Sequence, residues 1–520
     1  MNNESRTKNS IRNISYSLII TITTILLSGV IRFFFVRNFI IEYLGLNSLF
    51  TNIISLLSIT ESGFGVAISY AMYKPMAEGN VDKVRQLLRF LKKMYIYVAI
   101  IVLICGCCII PLLPFIVKEY ASLDINFYII YGLFLCNTIF SFFVAHRRSL
   151  FHCSQRADIE QKINFVATII GNAMQLLCIL VLKNYYLFVV CSLIQTIVSM
   201  VLIICVTNHK YKEYLIDPPQ QLDNQTRYGI KKNVFALLSH KIGGAILNGT
   251  DSILISMFVG LAILGKYSNY LLIVTALSKM LSIIVSSVQG SIGNVIATKN
   301  VEDSYNIYKR INFLYLWVVS FCTIGLFTLV NPFIECVFGQ EYVLDIYIVI
   351  LIAVQFYLQY IRSVLYAFKE CCGLFWQNRF MPIIESMINL VSSIVLGKFI
   401  GLPGIILGTI FSNLLMPFWV EPKVLYKYYF KKNVGSHFKT IIINILITCS
   451  ISCICYSIIN LITINNIITL SIKFIICIIV SNLLIIIAYS PTKELRDALL
   501  KAKGILQRLL ISNKSKVKRK

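Results

Sequence analysis

The chain has 520 residues, of which 57% are hydrophobic and 14% charged, with a formal net charge of +25 and a mean hydropathy of +0.77. About a quarter of the residues of an ordinary soluble domain are charged, so this composition excludes a soluble multidomain protein. Apolar runs of about twenty residues recur from end to end, which is typical of a protein that crosses a membrane many times.

The apolar runs predict an all-α polytopic membrane protein with about fourteen transmembrane helices. The basic residues before the first run resemble the start of a signal sequence. No small-residue cleavage site follows, so we expect this run to stay as the first span. The predicted cores are residues 13–34, 46–72, 94–117, 125–145, 163–182, 185–207, 233–258, 266–289, 311–334, 345–366, 381–397, 402–420, 439–459 and 467–489.

Lysine and arginine alternate between the segments that connect the spans. With a cytoplasmic N-terminus, 39 of the 48 Lys and Arg residues lie on inner segments, six on outer segments and three within spans. A bias of this size sets the orientation of a membrane protein. The net charge therefore predicts topology, with both termini cytoplasmic, and it requires no nucleic-acid partner.

Short motifs recur along the chain at a nearly constant separation. They are YLG at 43–45 and ILG at 263–265, NVD at 80–82 and NVE at 300–302, PFI at 114–116 and 332–334, and QR at 155–156 with a looser echo, QNR, at 377–379. Their order and spacing predict an internal repeat of two six-helix copies. An even number of helices keeps both copies in the same orientation, as in parallel-repeat transporters.

The repeat predicts five regions. They are an N-terminal six-helix lobe at 1–210, a cytoplasmic linker at 211–232, a C-terminal six-helix lobe at 233–430, two extra transmembrane helices at 431–490 and a basic amphipathic cytoplasmic tail at 491–520. The tail carries leucines at alternating spacings of four and three beside basic residues, a pattern typical of a helix on an anionic membrane surface.

The first predicted helix of each copy carries a polar stripe on one face. Charged and polar groups within a span normally face a cavity or a partner, so we expect the two stripes to line a water-filled cleft between the copies. The stripe of the seventh span comprises Lys241, Gly244, Asn248, Asp251 and Ser252, and that of the first span comprises Ser17, Thr21, Thr24, Ser28 and Arg32.

The second helices of the copies add charges of opposite sign, Glu61 and Lys279, at nearly equivalent positions. We expect them to approach each other across the cleft in one state. Glu61 and Asp251 are candidates for gating or ion coupling, and so is His240, whose imidazole could carry a proton. Snorkelling of Lys279 and Arg32 to the membrane interface, and a packing role for His240, are the competing interpretations.

The sequence predicts neither a metal site nor a cofactor. The 16 cysteines lie mostly within apolar segments and lack companion ligands at zinc spacing. There is no HExxH motif and no GxxxxGK[ST] phosphate loop. The predicted outer segments are short, which argues against a membrane polysaccharide polymerase, so we expect a protein that is not an enzyme.

Three stretches carry a resemblance to a known family. They are HKIGGAILNGTDSILISMFVGLAILGKYSNY, SIGN at 291–294 and ESMINLVSSIVLGKFIGLPGIILGTIFSN. Together with RFFFVRNFIIEYLGLNSLFTNIISLLSITESGFGVAISYAMYKPMAEGN, the chain from about residue 10 to 435 resembles bacterial polysaccharide repeat-unit flippases. These are the Wzx-type proteins of O-antigen and capsule pathways, which belong to the multidrug/oligosaccharidyl-lipid/polysaccharide (MOP) exporter superfamily that also contains the MATE transporters.

The resemblance implies two six-helix lobes around a V-shaped cleft in the bacterial cytoplasmic membrane. It also implies alternating-access transfer of an undecaprenyl-pyrophosphate-linked oligosaccharide from the inner to the outer leaflet during surface polysaccharide biosynthesis. Cationic groups would hold the pyrophosphate, here Arg32, Lys241 and Lys279, and the neighbouring cleft residues would be Asn248, Ser28 and Thr24.

The partners implied by the resemblance are the lipid-linked oligosaccharide, membrane lipids, a coupling ion (H⁺ or Na⁺) and a polysaccharide polymerase. Two transport alternatives remain open from the residues alone. A MATE-type multidrug or cation antiporter would favour an acidic, aromatic-lined cavity, against which the basic members of the stripes argue. A lipid II flippase would share the fold and differ in the head group that it carries.

Overall fold

The computed structural model describes residues 6–118, 123–218, 249–374, 376–462 and 466–492, and also residues 220, 222–228, 230, 244 and 495–496; residues 6–18, 60–67 and 70 are described by their backbone alone. Throughout these ranges the regular secondary structure is helical. Twelve of the described helical segments are long and apolar enough to cross a membrane, which confirms the predicted all-α polytopic fold.

The helices of the first half of the chain are α1 (Arg6–Asn38), α2 (Ile41–Leu57), α3 (Ile59–Ala77), α4 (Val81–Ile109), α5 (Leu113–Ile116), α6 (Phe127–Cys153), α7 (Ala157–Leu177) and α8 (Tyr185–Lys210). Those of the second half are α9 (described over residues 249–258), α10 (Leu261–Thr298), α11 (Val301–Phe338), α12 (Ile346–Tyr360), α13 (Ser363–Cys371), α14 (Met381–Ile400), α15 (Leu402–Leu415), α16 (Pro417–Leu425), α17 (Gly435–Asn460) and α18 (Ile467–Tyr489).

The predicted single span 46–72 consists of two helices, α2 and α3, which meet at Ser58. The Ser58 hydroxyl donates to the carbonyl of Ile54 at 2.8 Å, and its backbone leaves the helical region with φ −81° and ψ 3°. A serine hydroxyl that bonds to a preceding carbonyl competes with the helical ladder. The apolar pattern therefore located the segment correctly but could not show the break inside it.

Of the other predicted spans, the seventh (233–258) lies largely outside the described residues, which begin again at 249 apart from residue 244. Each of the remaining twelve predicted cores overlaps one of the twelve long apolar helical segments. The predicted tail also lies almost wholly outside the described part of the chain, and the predicted region boundaries remain predictions.

The repeated motifs mark equivalent positions in the helical framework. Asn80, the first residue of the NVD motif, caps α4 by accepting from the backbone N–H of Lys83 at 3.0 Å. Asn300, the first residue of the NVE motif, caps α11 in the same way, accepting from the backbone N–H of Asp303 at 2.7 Å. Asparagine is among the residues that best satisfy the free N–H groups at a helix start. The two caps thus occupy matching positions in the two copies, as the predicted repeat requires.

The described helices fall into two compact units. Unit 1 comprises Met1–Ser268 and Asn389–Ile405. Within it, α8 packs against α6 and α7, α4 against α3 and α6, and α1 against α7. Buried aromatic rings join the end of α1 to the start of α8, with ring centroids of Phe35 and Phe188 4.9 Å apart. The Tyr185 hydroxyl donates to the carbonyl of Tyr43 at 3.2 Å, which attaches α2 to the same cluster.

Unit 2 comprises Asn269–Ile388 and Ile406–Lys520, and α11 packs against α12, α17 and α18. Asn444 of α17 is buried and joins these helices, because its side-chain oxygen accepts from Ser320 and Tyr357 and its amide donates to the Tyr489 hydroxyl at 2.6 Å. Thr448 adds a bond to Ser320 at 2.8 Å. A buried polar network whose members are all hydrogen-bonded favours one arrangement of helices. The two C-terminal helices, α17 and α18, therefore pack against α11 in one defined arrangement.

Candidate functional site

In unit 1 the first turns of α2 and α10 cross in direct backbone contact. A Cβ atom added to Gly45 would lie 2.2 Å from the carbonyl oxygen of Leu261, and one added to Gly265 would lie 2.4 Å from that of Ile41. Neither site has room for a side chain, so glycine is required at both. We call Ile41, Gly45, Leu261 and Gly265 the glycine crossing.

The glycine crossing is reciprocal under the sequence repeat. Gly45 and Gly265 are equivalent positions of the YLG and ILG motifs, and Ile41 and Leu261 are separated by the same offset. Gly45 therefore contacts the carbonyl of Leu261. Its equivalent, Gly265, contacts the carbonyl of Ile41, which is the equivalent of Leu261. Close helix approach through small residues is the usual way in which membrane helices associate. This contact explains why YLG and ILG recur, and it gives the two copies a local two-fold relation at this point.

Two polar pairs flank the crossing, and each pair joins the first helix of one copy to the second helix of the other. Arg32 of α1 donates from Nη1 to the Ser268 hydroxyl of α10 at 3.3 Å. Asn52 of α2 donates from Nδ2 to the Ser252 hydroxyl of α9 at 3.0 Å. Arg32 and Ser252 are equivalent positions, since their offset is that of the two crossing glycines. The polar stripe on the first helix of each copy thus reaches the second helix of the other copy.

The counterpart of Ser268 also takes part in this arrangement. That counterpart is Ser48, whose backbone carbonyl accepts a second bond from Asn52 at 2.8 Å. Ser268 itself donates to the carbonyl of Gly265 at 2.7 Å, which ties the Arg32 pair to the glycine crossing. The site in unit 1 is therefore a compact cross-over of four helices, with a cation on one side of it.

The other predicted site residues of unit 1 are distributed around this cross-over. Asp251 is half-buried on α9, and its carboxylate is close enough to the Tyr267 hydroxyl to act on it electrostatically. Thr24 is half-buried and donates to the carbonyl of Ile20 at 2.7 Å, whereas Ser28 is exposed. The structure places Arg32 and the Asp251–Ser252 pair at the cross-over, and Thr24 and Ser28 lie further back along α1.

The remaining predicted residues are not brought to the cross-over by described contacts. Lys279 is exposed on α10. His240, Lys241 and Asn248 lie outside the described residues, and so does the side chain of Glu61. Their assignment to a cleft, and the approach of Glu61 to Lys279, stay predictions.

Unit 2 contains a set of buried charges that the sequence did not reveal. Lys369 of α13 lies 3.2 Å from the Glu421 carboxylate of α16, and Arg362, in the turn before α13, lies 3.4 Å from the same carboxylate. Arg362 also lies 3.8 Å from Glu385 of α14. Lys369, Glu385 and Glu421 are buried, with 2%, 5% and 1% of their surface exposed. We call these four residues the four-charge network.

The four-charge network was missed because each member has an ordinary explanation in the sequence. Arg362 and Lys369 flank the end of a predicted span, where basic residues are expected to set orientation, and Glu421 directly follows another span. The one useful signal is that Glu385 and Glu421 each lie at a span end near a basic residue, Arg379 and Lys423 respectively. The buried ammonium of Lys369 and the half-buried guanidinium of Arg362 balance the two buried carboxylates, as buried charges require.

The residues that the structure describes contain no group of three or more His, Cys, Asp or Glu side chains placed to hold a metal ion. What the two sites offer is electrostatic. The cross-over presents the Arg32 guanidinium beside the Ser268 hydroxyl, and the Asp251 carboxylate lies on α9 next to Ser252. The four-charge network holds titratable groups away from water.

A model of the family described as Polysaccharide biosynthesis protein matches residues 10–289, which is more than half of the chain. The comparison with curated proteins finds no match. Among solved structures, the chain is similar to the lipid II flippase MurJ in an inward closed conformation, at 15% identity and a TM-score of 0.65, over 92% of this chain and 99% of that one.

Two further solved structures have the same fold. One is an inward-facing multidrug resistance MATE family transporter of the MOP superfamily, at 12% identity and a TM-score of 0.56, over 76% of this chain and 94% of that one. The other is a variant of the Vibrio cholerae MATE transporter VcmN, at 11% identity and a TM-score of 0.55, over 82% of this chain and 99% of that one. As the sequence resemblance predicted, the chain is a multi-pass membrane protein with the MOP transporter fold, and it belongs to the polysaccharide biosynthesis protein family.

Proposed function

We propose that the protein is a flippase that moves an undecaprenyl-pyrophosphate-linked oligosaccharide from the inner to the outer leaflet of the bacterial cytoplasmic membrane by alternating access. The observation that carries the proposal is the reciprocal cross-over, in which the polar stripe of each copy's first helix bonds to the second helix of the other copy. Membership of a polysaccharide biosynthesis family and a fold shared with a lipid II flippase support it.

The physical problem is to carry a pyrophosphate and several sugars across about 30 Å of hydrocarbon. A polar path shelters the head group while the polyprenyl tail stays in lipid. In this proposal Arg32, Lys241 and Lys279 hold the pyrophosphate, and the polar side chains of Thr24, Ser28 and Asn248 complete the path. Glu61, Asp251 and His240 serve gating or ion coupling.

The cross-over is suited to repeated opening. Its central contact is between backbones through glycine, so no side chain at Gly45 or Gly265 has to be withdrawn when the helices separate. Each flanking pair has one cross-helix hydrogen bond, worth about 0.5–1.5 kcal/mol, or about 1.5–3 kcal/mol where a charged group takes part. The cross-over lies next to the α1–α2 and α9–α10 turns, which are outer turns in the proposed topology with cytoplasmic termini. We propose that these contacts close the outer end of the path and separate when the substrate is released.

The proposed partners follow from this role. They are the lipid-linked oligosaccharide, the surrounding lipids, an H⁺ or Na⁺ gradient as energy source and a polysaccharide polymerase that consumes the product. Moving a lipid-linked substrate requires no catalytic group, so we propose that the protein acts as a transporter and not as an enzyme.

The test uses a deletion strain complemented with variants. Without the protein, lipid-linked oligosaccharide should accumulate on the inner leaflet and surface polysaccharide should disappear. Arg32→Ala and Lys241→Ala should each abolish export while the protein level in the membrane is unchanged. Arg37→Ala is the matched control, because Arg37 is also on α1 but stacks on Phe33, with 3.9 Å between the guanidinium carbon and the ring centroid. A wild-type level of surface polysaccharide in the Arg32→Ala strain would refute the assignment of Arg32 to pyrophosphate binding.

Two alternative functions are supported by similarity to solved structures, and the deletion strain distinguishes both of them from the proposed function. A lipid II flippase, supported by the likeness to MurJ, would make the deletion lethal or sensitive to lysis with surface polysaccharide intact. A multidrug antiporter, supported by the MATE likenesses, would make the deletion sensitive to cationic drugs with polysaccharide intact.

A further inference from the structure

We propose that the four-charge network of unit 2 is a proton-binding site, in which Glu385 takes up the proton and Arg362 then passes wholly to Glu421. The proposal goes beyond the proposed function, because proton binding at this site requires no substrate. It is carried by the unequal way in which the two cations are shared between the two carboxylates.

Glu421 has the larger share of the positive charge. Lys369 donates to it at 3.2 Å, and Arg362 donates to it at 3.4 Å. Glu385 has Arg362 alone as its ion-pair partner among the described residues, at 3.8 Å, which is too long for a hydrogen bond. One carboxylate is thus bonded to two cations and the other is only near one.

Burial makes this difference consequential. Glu385 has 5% of its surface exposed and Glu421 has 1%. Water cannot compensate either charge, and a buried carboxylate without a bonded cation is more stable in its neutral form. The proton therefore goes to the carboxylate that is poorly paired, Glu385.

The charged groups that face Glu385 are Arg362 in the turn between α12 and α13, Lys369 on α13 and Glu421 on α16. The neighbouring acid Glu370 is engaged elsewhere, since it accepts from Gln289 of α10 at 3.3 Å. The Lys369 ammonium also lies 4.4 Å from the centroid of the Tyr366 ring, which gives this cation a second attachment. Lys369 is thereby held in place, and Arg362 is the cation that can move.

Protonation changes which helices the guanidinium joins. The neutral carboxyl of Glu385 no longer attracts Arg362, while the Glu421 carboxylate still does. A guanidinium bonds best when both its edge nitrogens reach one carboxylate, so Arg362 moves from a shared to a bidentate position on Glu421. The turn at 361–362 is thereby drawn towards α16 and released from α14, so a proton alters the contacts between three helices of unit 2.

The test is infrared difference spectroscopy of the purified full-length protein between pH 8 and pH 5, without substrate. The wild type should gain one protonated-carboxyl band per chain that is absent from Glu385→Gln. Glu370→Gln is the matched control, since it removes a neighbouring carboxylate outside the network, and it should keep the band. Glu385→Asp should keep the band at a shifted position, which guards against loss of folding in the amide variant.

An unchanged band in Glu385→Gln would overturn the proposal, and so would loss of the band in Glu370→Gln alone. Surface polysaccharide measured in the same variants keeps the two proposals distinct. A normal band in a protein whose deletion leaves polysaccharide intact would end the flippase assignment and leave the proton site standing.

Discussion

Gly45 and Gly265 show how a single atom decides whether two helices can touch. We expect Gly45→Ala to destabilise the protein by about 1–3 kcal/mol, the usual cost of overpacking, because the new Cβ would lie 2.2 Å from the Leu261 oxygen and the backbones must separate. Gly265→Ala should cost a similar amount, since its contact is the counterpart. Thermal unfolding in detergent measures the loss, and surface polysaccharide reports the effect on export.

The control for the glycine crossing is Gly132→Ala. Gly132 lies within α6, and a Cβ there would meet nothing within 4 Å. Replacing a helical glycine with alanine at an open site stabilises a helix by up to about 1 kcal/mol. The two substitutions should therefore act in opposite directions. Equal melting temperatures for Gly45→Ala and Gly132→Ala would show that the crossing is not tightly packed in the membrane.

Asp223 in the linker carries a pH prediction of its own. Lys83 of α4 and the backbone N–H of Thr226 donate to its carboxylate and hold the pKa of Asp223 well below its usual value near 3.8. A carboxyl with a lowered pKa stabilises the fold above its ordinary pKa, and this contribution is lost as the pH falls through the lowered value. The contribution of the Asp223–Lys83 pair to holding the linker on α4 should therefore be constant from pH 9 to 5.

Limited proteolysis within residues 211–230 measures this attachment. At pH 7 Asp223→Asn should be cleaved about two- to fivefold faster than the wild type, a range set by the modest strength of exposed ion pairs. Asp217→Asn is the matched control, because Asp217 contacts Arg89 at a longer 3.6 Å and is more exposed, so its effect should be smaller. A wild-type cleavage rate in Asp223→Asn would mean that the pair does not hold the linker.

At the scale of helices, the repeat predicts equal dependence on two caps. Asn80→Ala and Asn300→Ala should each lower the stability by about 1 kcal/mol, because each leaves the first turn of an equivalent long helix without its acceptor. Asn80→Asp and Asn300→Asp should retain most of it, since aspartate caps as well. Chemical unfolding of the four variants checks this, and a loss confined to one copy would contradict the equivalence of α4 and α11.

The helices were largely predictable from the sequence because a span needs about twenty apolar residues, and that signal is local. Asn80 and Asn300 are visible in the sequence as members of a recurring motif, and the structure shows that both cap a helix. The break at Ser58 was not predictable, since a serine within an apolar run usually continues the helix. The Ser58 hydroxyl bonds to the carbonyl of Ile54 at the break, and the apolar pattern contains no sign of that bond.

The candidate sites were less predictable for a different reason. Arg32 was found from helical spacing, but its partner Ser268 is 236 residues away and no periodicity relates the two. Gly45 and Gly265 were visible as members of a repeat, and only the fold shows that equivalent residues touch. The network of Lys369 and Glu421 depends on which span ends become neighbours, which is a property of the tertiary structure.

At the scale of the whole molecule, the contacts of unit 1 interlock the two copies. Arg32 of the first copy bonds to α10 of the second, and Asn52 of the first bonds to α9 of the second. Ser256 of α9 adds a bond to the carbonyl of Ile116, the last residue of α5, at 2.7 Å. The helices of one copy thus pack against helices of the other. Either copy alone would expose polar groups and glycine faces that normally contact the other copy.

This interlock predicts the behaviour of a chain cut between Asp217 and Pro218. The Asp217 side chain is 84% exposed, so new termini there should disturb little packing. Each half expressed alone should be degraded, because the polar groups and glycine faces of the cross-over would meet lipid. The two halves expressed together should co-purify through a tag on one of them and restore surface polysaccharide. Gly45→Leu in the first half should abolish co-purification, whereas Gly132→Ala should not. Halves that accumulate separately and fail to associate would show that the cross-over does not hold the copies together.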